Sequence, residues 1–310
     1  MRESVTQSHT EASSLGANIL KMLLTLTMLL LLTVVCVSTA WATSFTVTNT
    51  DDSGPGSLRA AIDQANTNAG ADEIVFADGV GTITLASRLP TITDAAGLVI
   101  DGGGDVTVSG PSIGGGGPSE VGPGAALSLR NLTTISLGIK NSGTLEVTNS
   151  TISRNFEENG GGIYNSGTLK VANSTISRNS AEFSGAGIYN SGTLEVTNST
   201  IWGNSTFGDG GPGGGIYNSG TLEVTNSTIA TNYGGDFFSG WGIHNSSTGT
   251  ATLTNTIMDQ IRSQKNCSGM FTDGLQHRQR HLLRLRPSYG LPLEDRSPPG
   301  IRPARWDPPR

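Results

Sequence analysis

Apolar residues in this chain fall in short runs of period two, and the runs return. Leu145 and Val147, Leu194 and Val196, and Leu222 and Val224 each alternate with Thr and Glu, the pattern of a half-buried strand. The phrase that carries them, Asn141-Ser-Gly-Thr-Leu-Glu-Val-Thr-Asn-Ser-Thr-Ile152, recurs at Asn165, Asn190 and Asn218 and in altered form at Asn245. The spacings are 24, 25, 28 and 27 residues, a period that signals a solenoid. Ser-Gly pairs (Ser166-Gly167, Ser191-Gly192, Ser219-Gly220) are turn signals between strands. Gly, Asn, Ser and β-branched residues dominate the repeat and argue against helix. The predicted fold is all-β: a parallel β-helix whose coils of about three short strands stack on one another.

One coil holds too few aliphatic side chains to stabilise itself, so stacking is obligatory. Asn149, Asn173, Asn198, Asn226 and Asn255 share one repeat position, and Asn155, Asn179, Asn204 and Asn232 another. Asn tolerates bent corner conformations, and its amide can bond the amide of the next coil. Several also spell Asn-x-Ser/Thr, but a ladder explains the recurrence once per coil better than glycosylation does.

Outside the repeats the pattern changes. Residues 1–42 read as an export signal: Lys21 precedes the apolar run Met22–Val37, and Ala40-Trp41-Ala42 supplies a cleavage site. Residues 43–110 read as an N-terminal cap and first coils, with strands at Phe45–Thr48, Glu73–Phe76, Gly81–Leu85, Leu89–Ile92 and Leu98–Asp101. Within them, Gly56–Asn66 is predicted helical, capped by Ser57 and burying Leu58, Ala61, Ile62 and Ala65, well placed to close the open end of the stack. Residues 111–140 read as a Gly/Pro-rich loop and a degenerate coil, the loop being expected to leave the stack from residue 102. The regular repeats fill 141–262, and an anchor-like region begins at 263–274.

Residues 275–310 differ in kind. They hold eight Arg against Glu294, Asp295 and Asp307, a net +5 in a chain whose total is −6. Shifting the reading frame by one base can turn this stretch into an Asp- and Ser-rich continuation of the repeats, so it is read as a frameshifted, disordered tail. That reading leaves the coil at Ala251–Ile257 uncapped and self-association expected. It also leaves Cys267 as a disulfide cysteine whose partner is missing.

The Gly-Gly-Gly-Ile-Tyr-Asn and Ile-x-x-Asn spelling (Gly160–Asn165 with Ile176–Asn179, Gly213–Asn218 with Ile229–Asn232) resembles the repeats of polymorphic outer-membrane proteins and related bacterial β-helix surface proteins. Ile stands here where those families carry Phe. The stretch Thr46–Ile62 is similar to the N-terminal region of exported bacterial β-helix proteins, and Asn266-Cys-Ser-Gly to the start of their C-terminal anchor. The resemblance implies a right-handed β-helix that is secreted or displayed at the cell surface or outer membrane. It implies no particular chemistry.

Chemistry is sparse. Asn49-Thr-Asp-Asp52 matches part of a polygalacturonase signature, but the accompanying Asp pair, Gly-His-Gly and Arg-x-Lys are missing, and a polar turn explains it. No catalytic residue, cofactor site or metal site is assigned. The row Glu146, Lys170, Glu195 and Glu223 is interrupted by its lysine and reads as a solvated face. An inward Ile in Gly-Ile-Tyr-Asn puts Tyr164, Tyr189 and Tyr217 outward, followed by His244, a column able to contact glycans. The expected role is structural, adhesin-like or glycan-contacting, through an extracellular glycan or a host or cell-surface partner. No nucleic-acid role is expected, and membrane contact only through export or a lost anchor. The alternative is a carbohydrate-active enzyme, a polysaccharide lyase or hydrolase on the same fold.

Overall fold

The computed structural model describes residues 18, 20–25, 42–111, 119–207, 211–235, 240–259 and 266–273. The tail 275–310 and most of the export segment lie outside the described residues; residues 20–25 are helical. From Ser44 onward the chain winds as a right-handed parallel β-solenoid. Among the described residues every strand pairing is parallel, each strand of the regular coils meeting its counterpart one coil away.

A regular coil has four strand segments. Ile163–Asn165 makes the first, Thr168–Ala172 the second, Thr175–Ser177 the third and Ser180–Ser184 the fourth. Stacking repeats each of them. The Ile-Tyr-Asn strands form a seven-stranded sheet that begins at Ser119–Val121 and ends at Cys267–Ser268. The second and third segments share a sixteen-stranded sheet, and the fourth makes a short three-stranded one from Phe156–Asn159, Ser180–Ser184 and Ser205–Thr206. Register is strict: Leu169 lies over Leu145 and under Leu194, and Ile188 between Ile163 and Ile216. The inward aliphatic side chains are fully buried in one continuous core.

The corners show why the polar residues recur. Asn149, Asn173, Asn198, Asn226 and Asn255 have φ between 46° and 51°, the left-handed region that Asn accepts more readily than other side chains. After each comes a buried Ser, or Thr256 in the last coil. Ser174 Oγ accepts from Ser150 N at 3.1 Å and donates to the carbonyl of Ala172 at 2.7 Å, so the turn's amide stays satisfied without water. At the next corner the left-handed position passes from Arg154 and Arg178 to Gly203 and then Thr231, at φ 57°. A β-branched residue is strained there. Thr231 is exposed, so Thr231→Gly should raise stability by about 1 kcal/mol, read as a higher thermal midpoint by circular dichroism.

At the N-terminal end the helix Leu58–Thr67 starts where expected. Ser57 Oγ accepts from Ala60 N at 3.2 Å, and Leu58, Ala61, Ile62 and Ala65 are buried in the same core as Val47 and Ile74. Asn66 ties the helix to the coil beside it, donating to Thr91 O and accepting from Thr93 N, both at 2.8 Å.

Three expectations need correction. The glycines at 102–104 do not leave the stack: one strand runs from Leu98 to Ser109, bulging between Asp101 and Val106 where it meets the next coil. A Cβ on Gly102 would lie 2.6 Å from the Asn131 carbonyl oxygen, so glycine here serves close packing rather than a loop. Leu89–Ile92 is not a strand; Pro90 has no N–H to give, and Ile92 alone bridges to Val121. The coil at Ala251–Ile257 is covered in part: Thr272 and Asp273 pair with Thr252 and Leu253, while among the described residues Ile257–Asp259 is the last strand of its sheet.

Candidate functional site

The solenoid offers its surroundings rows rather than a cleft, so candidate sites are columns of side chains repeated coil by coil. The expected aromatic column exists. Tyr164 and Tyr189 have ring centroids 4.9 Å apart at 3°, Tyr189 and Tyr217 4.9 Å at 14°, and Tyr217 and His244 5.3 Å at 12°. The spacing is the inter-strand repeat of the sheet itself. His244 closes the row through Nδ1, 2.7 Å from Ser268 Oγ. In the other direction the register continues through Lys140 and Glu120, whose side chains form an ion pair at 3.2 Å.

This stacking decides what the column can do. The rings face each other, so an interior ring has no free face on which a sugar could lie; edges and hydroxyls are what remain. All four rings are half-buried. Burial and the neighbouring Tyr217 and Tyr164 push the Tyr189 phenol above its ordinary range, opposed by a hydrogen bond with Ser219.

The second candidate row is also in register. Glu146, Lys170, Glu195, Glu223 and Thr252 follow one another along the outer face of the long strands. Lys170 Nζ lies 3.7 Å from Glu195 Oε2, and both side chains are largely exposed, so this pair contributes little. Two columns of outward Thr border the row, broken at Ala172. It is a solvated polar face.

Asn49 and Asp52 are occupied in holding the chain. Asn49 Oδ1 accepts from Asp51 N, and Asp52 Oδ1 accepts from Arg59 Nη2 at 2.9 Å and from Ala86 N at 2.9 Å. The Arg59 hydrogen bond is the main reason the Asp52 carboxyl sits below its usual range, with burial opposing and the Ala86 amide assisting. The structure thus joins helix, turn and coil at these residues.

Cys267 is half-buried beside Met258, with Sγ 3.0 Å from Sδ, and is free. Burial pushes its thiol up to about 12. A thiol held neutral stabilises the fold fully below the ordinary thiol range, and that contribution fades as pH rises toward the raised value. Alkylation at neutral pH should accordingly be slow in the native protein and fast once it is denatured, as followed by mass spectrometry.

Two features were missed from the sequence alone. One is a further asparagine ladder, fully buried: Asn141, Asn165, Asn190 and Asn218 each donate Nδ2 to the Oδ1 of the next coil's Asn, at 2.7, 2.7, 2.7 and 2.6 Å, ending on Asn245. Its recurrence at the start of every repeat was the available signal. The other is a set of exposed phenylalanines on or directly after the strands of the short three-stranded sheet: Phe156 (54%), Phe183 (52%) and Phe207 (54%). They sit in the variable links, outside the repeated phrase.

No curated protein sequence matches this one. Residues 75–258, more than half of the chain, match the family described as the right-handed β-helix region, and the matched span covers all the stacked columns above. The chain belongs to the right-handed β-helix family.

Proposed function

We propose that this chain is exported and acts outside the cell or at its surface as an adhesin-like protein that contacts glycans through the faces of its solenoid. One observation carries the reading: outward side chains of one kind stand in register over successive coils, as Tyr164, Tyr189, Tyr217 and His244 do. A rigid row at a fixed repeat suits a polymeric ligand, because each further subsite adds an intramolecular contact. The apolar run after Lys21 and the small residues Ala40 and Ala42 support export. The polymorphic outer-membrane likeness and a C-terminal anchor belong to the same proposal.

Binding of the purified chain to a glycan array, with no new reducing ends or unsaturated products from the polysaccharides bound, is the expected result. Depolymerisation would instead support the lyase or hydrolase reading. An array without signal would remove the glycan role.

A further inference from the structure

Asp72 is 2% exposed and opens the strand Asp72–Phe76, where its N–H donates to Gly97 O at 2.9 Å. A carboxylate taken out of water calls for a cation. Among the described residues no Lys or Arg side chain forms an ion pair with it. Two neutral donors serve it instead, and both meet one oxygen. Oδ1 accepts from Thr43 N at 3.0 Å and from Asn68 Nδ2 at 2.7 Å, while Oδ2 is buried with no hydrogen-bond partner.

Thr43 is fixed from several sides. Its Oγ1 accepts from Asn68 Nδ2 at 3.0 Å, its carbonyl accepts from Glu73 N at 2.9 Å, and Ser44 after it pairs with Glu73. Asn68 is itself the C-cap of the helix Leu58–Thr67, its N–H bonding to Gln64 O and Ala65 O. Helix, first strand and second strand thus converge on the Thr43 nitrogen. The peptide bond at that nitrogen is also the one the sequence marks for cutting, since Ala40-Trp41-Ala42 ends the export segment, and Ala42 is exposed. Hydrolysis by a signal-peptidase-type protease adds one water across Ala42–Thr43. The Ala42 carbonyl carbon ends as a carboxylate, and the Thr43 nitrogen gains two protons and ends as an ammonium. Such a nitrogen keeps its bond to Oδ1, brings further protons beside Oδ2 and carries the charge that Asp72 otherwise lacks.

We propose that cleavage of the Ala42–Thr43 bond creates the cation for Asp72, so that the new amino terminus anchors the first strand to the capping helix and the second strand. Stability at this end of the solenoid rises only once the export segment is gone. This rests on the export reading above and adds the bond cut and the residue that receives the new terminus. The full chain is expressed in a bacterial host, and the exported product is expected to begin at Thr43 by N-terminal sequencing. Labelling with acetic anhydride at neutral pH, followed by mass spectrometry, then compares its terminal amine with the largely exposed Lys170. Thr43 should label about tenfold or more slowly in the native product than in urea, relative to Lys170. Asp72→Asn should restore fast labelling and lower the thermal midpoint by about 5 °C or more. If that variant does not accumulate, the native and urea rates of the parent decide. Native labelling as fast as in urea overturns the anchor and leaves export standing, as does processing at any other bond. Slow labelling that persists in folded Asp72→Asn shows protection by burial alone and overturns the ion pair. A product that stays inside the cell with residues 1–42 attached ends both readings.

Discussion

Asn190→Ala should unfold the solenoid far below the temperature of the parent chain. Asn190 is fully buried; its Nδ2 donates to Asn218 Oδ1 at 2.7 Å and to Thr221 O at 3.0 Å, and its Oδ1 accepts from Asn165 at 2.7 Å. Alanine removes these bonds and strands Asn218 Oδ1 in a site that water does not reach. With about 1–3 kcal/mol for each buried polar group left unpaired, the loss is roughly 3–6 kcal/mol. Asn190→Asp keeps the shape but cannot donate and brings a buried charge, so it should cost more. The effect is not local, because the amides point the same way along the ladder and each coil is held by its neighbours. Thermal or urea melting followed by circular dichroism measures it. A midpoint for Asn190→Ala within a few degrees of the parent would show that the ladder contributes little.

Gly192→Ala should be comparably damaging for a different reason. The backbone at Gly192 is outside the left-handed region, so conformational freedom is not what glycine provides. A Cβ at Gly192 would overlap the Gly167 carbonyl oxygen of the coil below, the same oxygen that accepts from Thr193 N at 2.9 Å. Gly167 stands in the same relation to Gly143, and Gly220 to Gly192. Relief needs a backbone shift that pulls the coils apart and breaks the ladder bond, a cost of about 3 kcal/mol or more. Gly81→Ala is the control: nothing lies within 4 Å of its added methyl and its φ is not left-handed. It should stay within about 0.5 kcal/mol of the parent or gain slightly. Equal losses in the two variants would contradict the close-approach explanation.

The Ser-Gly pairs show how far a local reading extends. Turn chemistry located them correctly, but the demand on the glycine comes from the coil beneath, some 25 residues away in sequence between Gly167 and Gly192. The asparagines divide in the same way. Asn149 and its counterparts serve mainly as left-handed corners, and among the described residues only two amide bonds join them, Asn149 to Asn131 and Asn255 to Asn226. Asn155, Asn179, Asn204 and Asn232 form the expected ladder at 2.7, 2.9 and 2.9 Å. Asn155 is its first member and its Oδ1 finds no partner, because the preceding coil has Leu137 at that point. A repeat read by itself has no first or last member, so such end effects were not legible.

The amino-acid sequence alone determined the period of the coil, the inward residues, the capping helix and the two outward columns. Each follows from local alternation, which the pleat of a strand converts into inside and outside. Tertiary structure decided how coils meet: that the tyrosine rings cover one another, that the glycines clear a carbonyl, and that the phenylalanines of the links share one face. Those outcomes depend on which residues stand one coil apart, a distance set by link lengths that vary from repeat to repeat and by backbone pairing that no single coil contains.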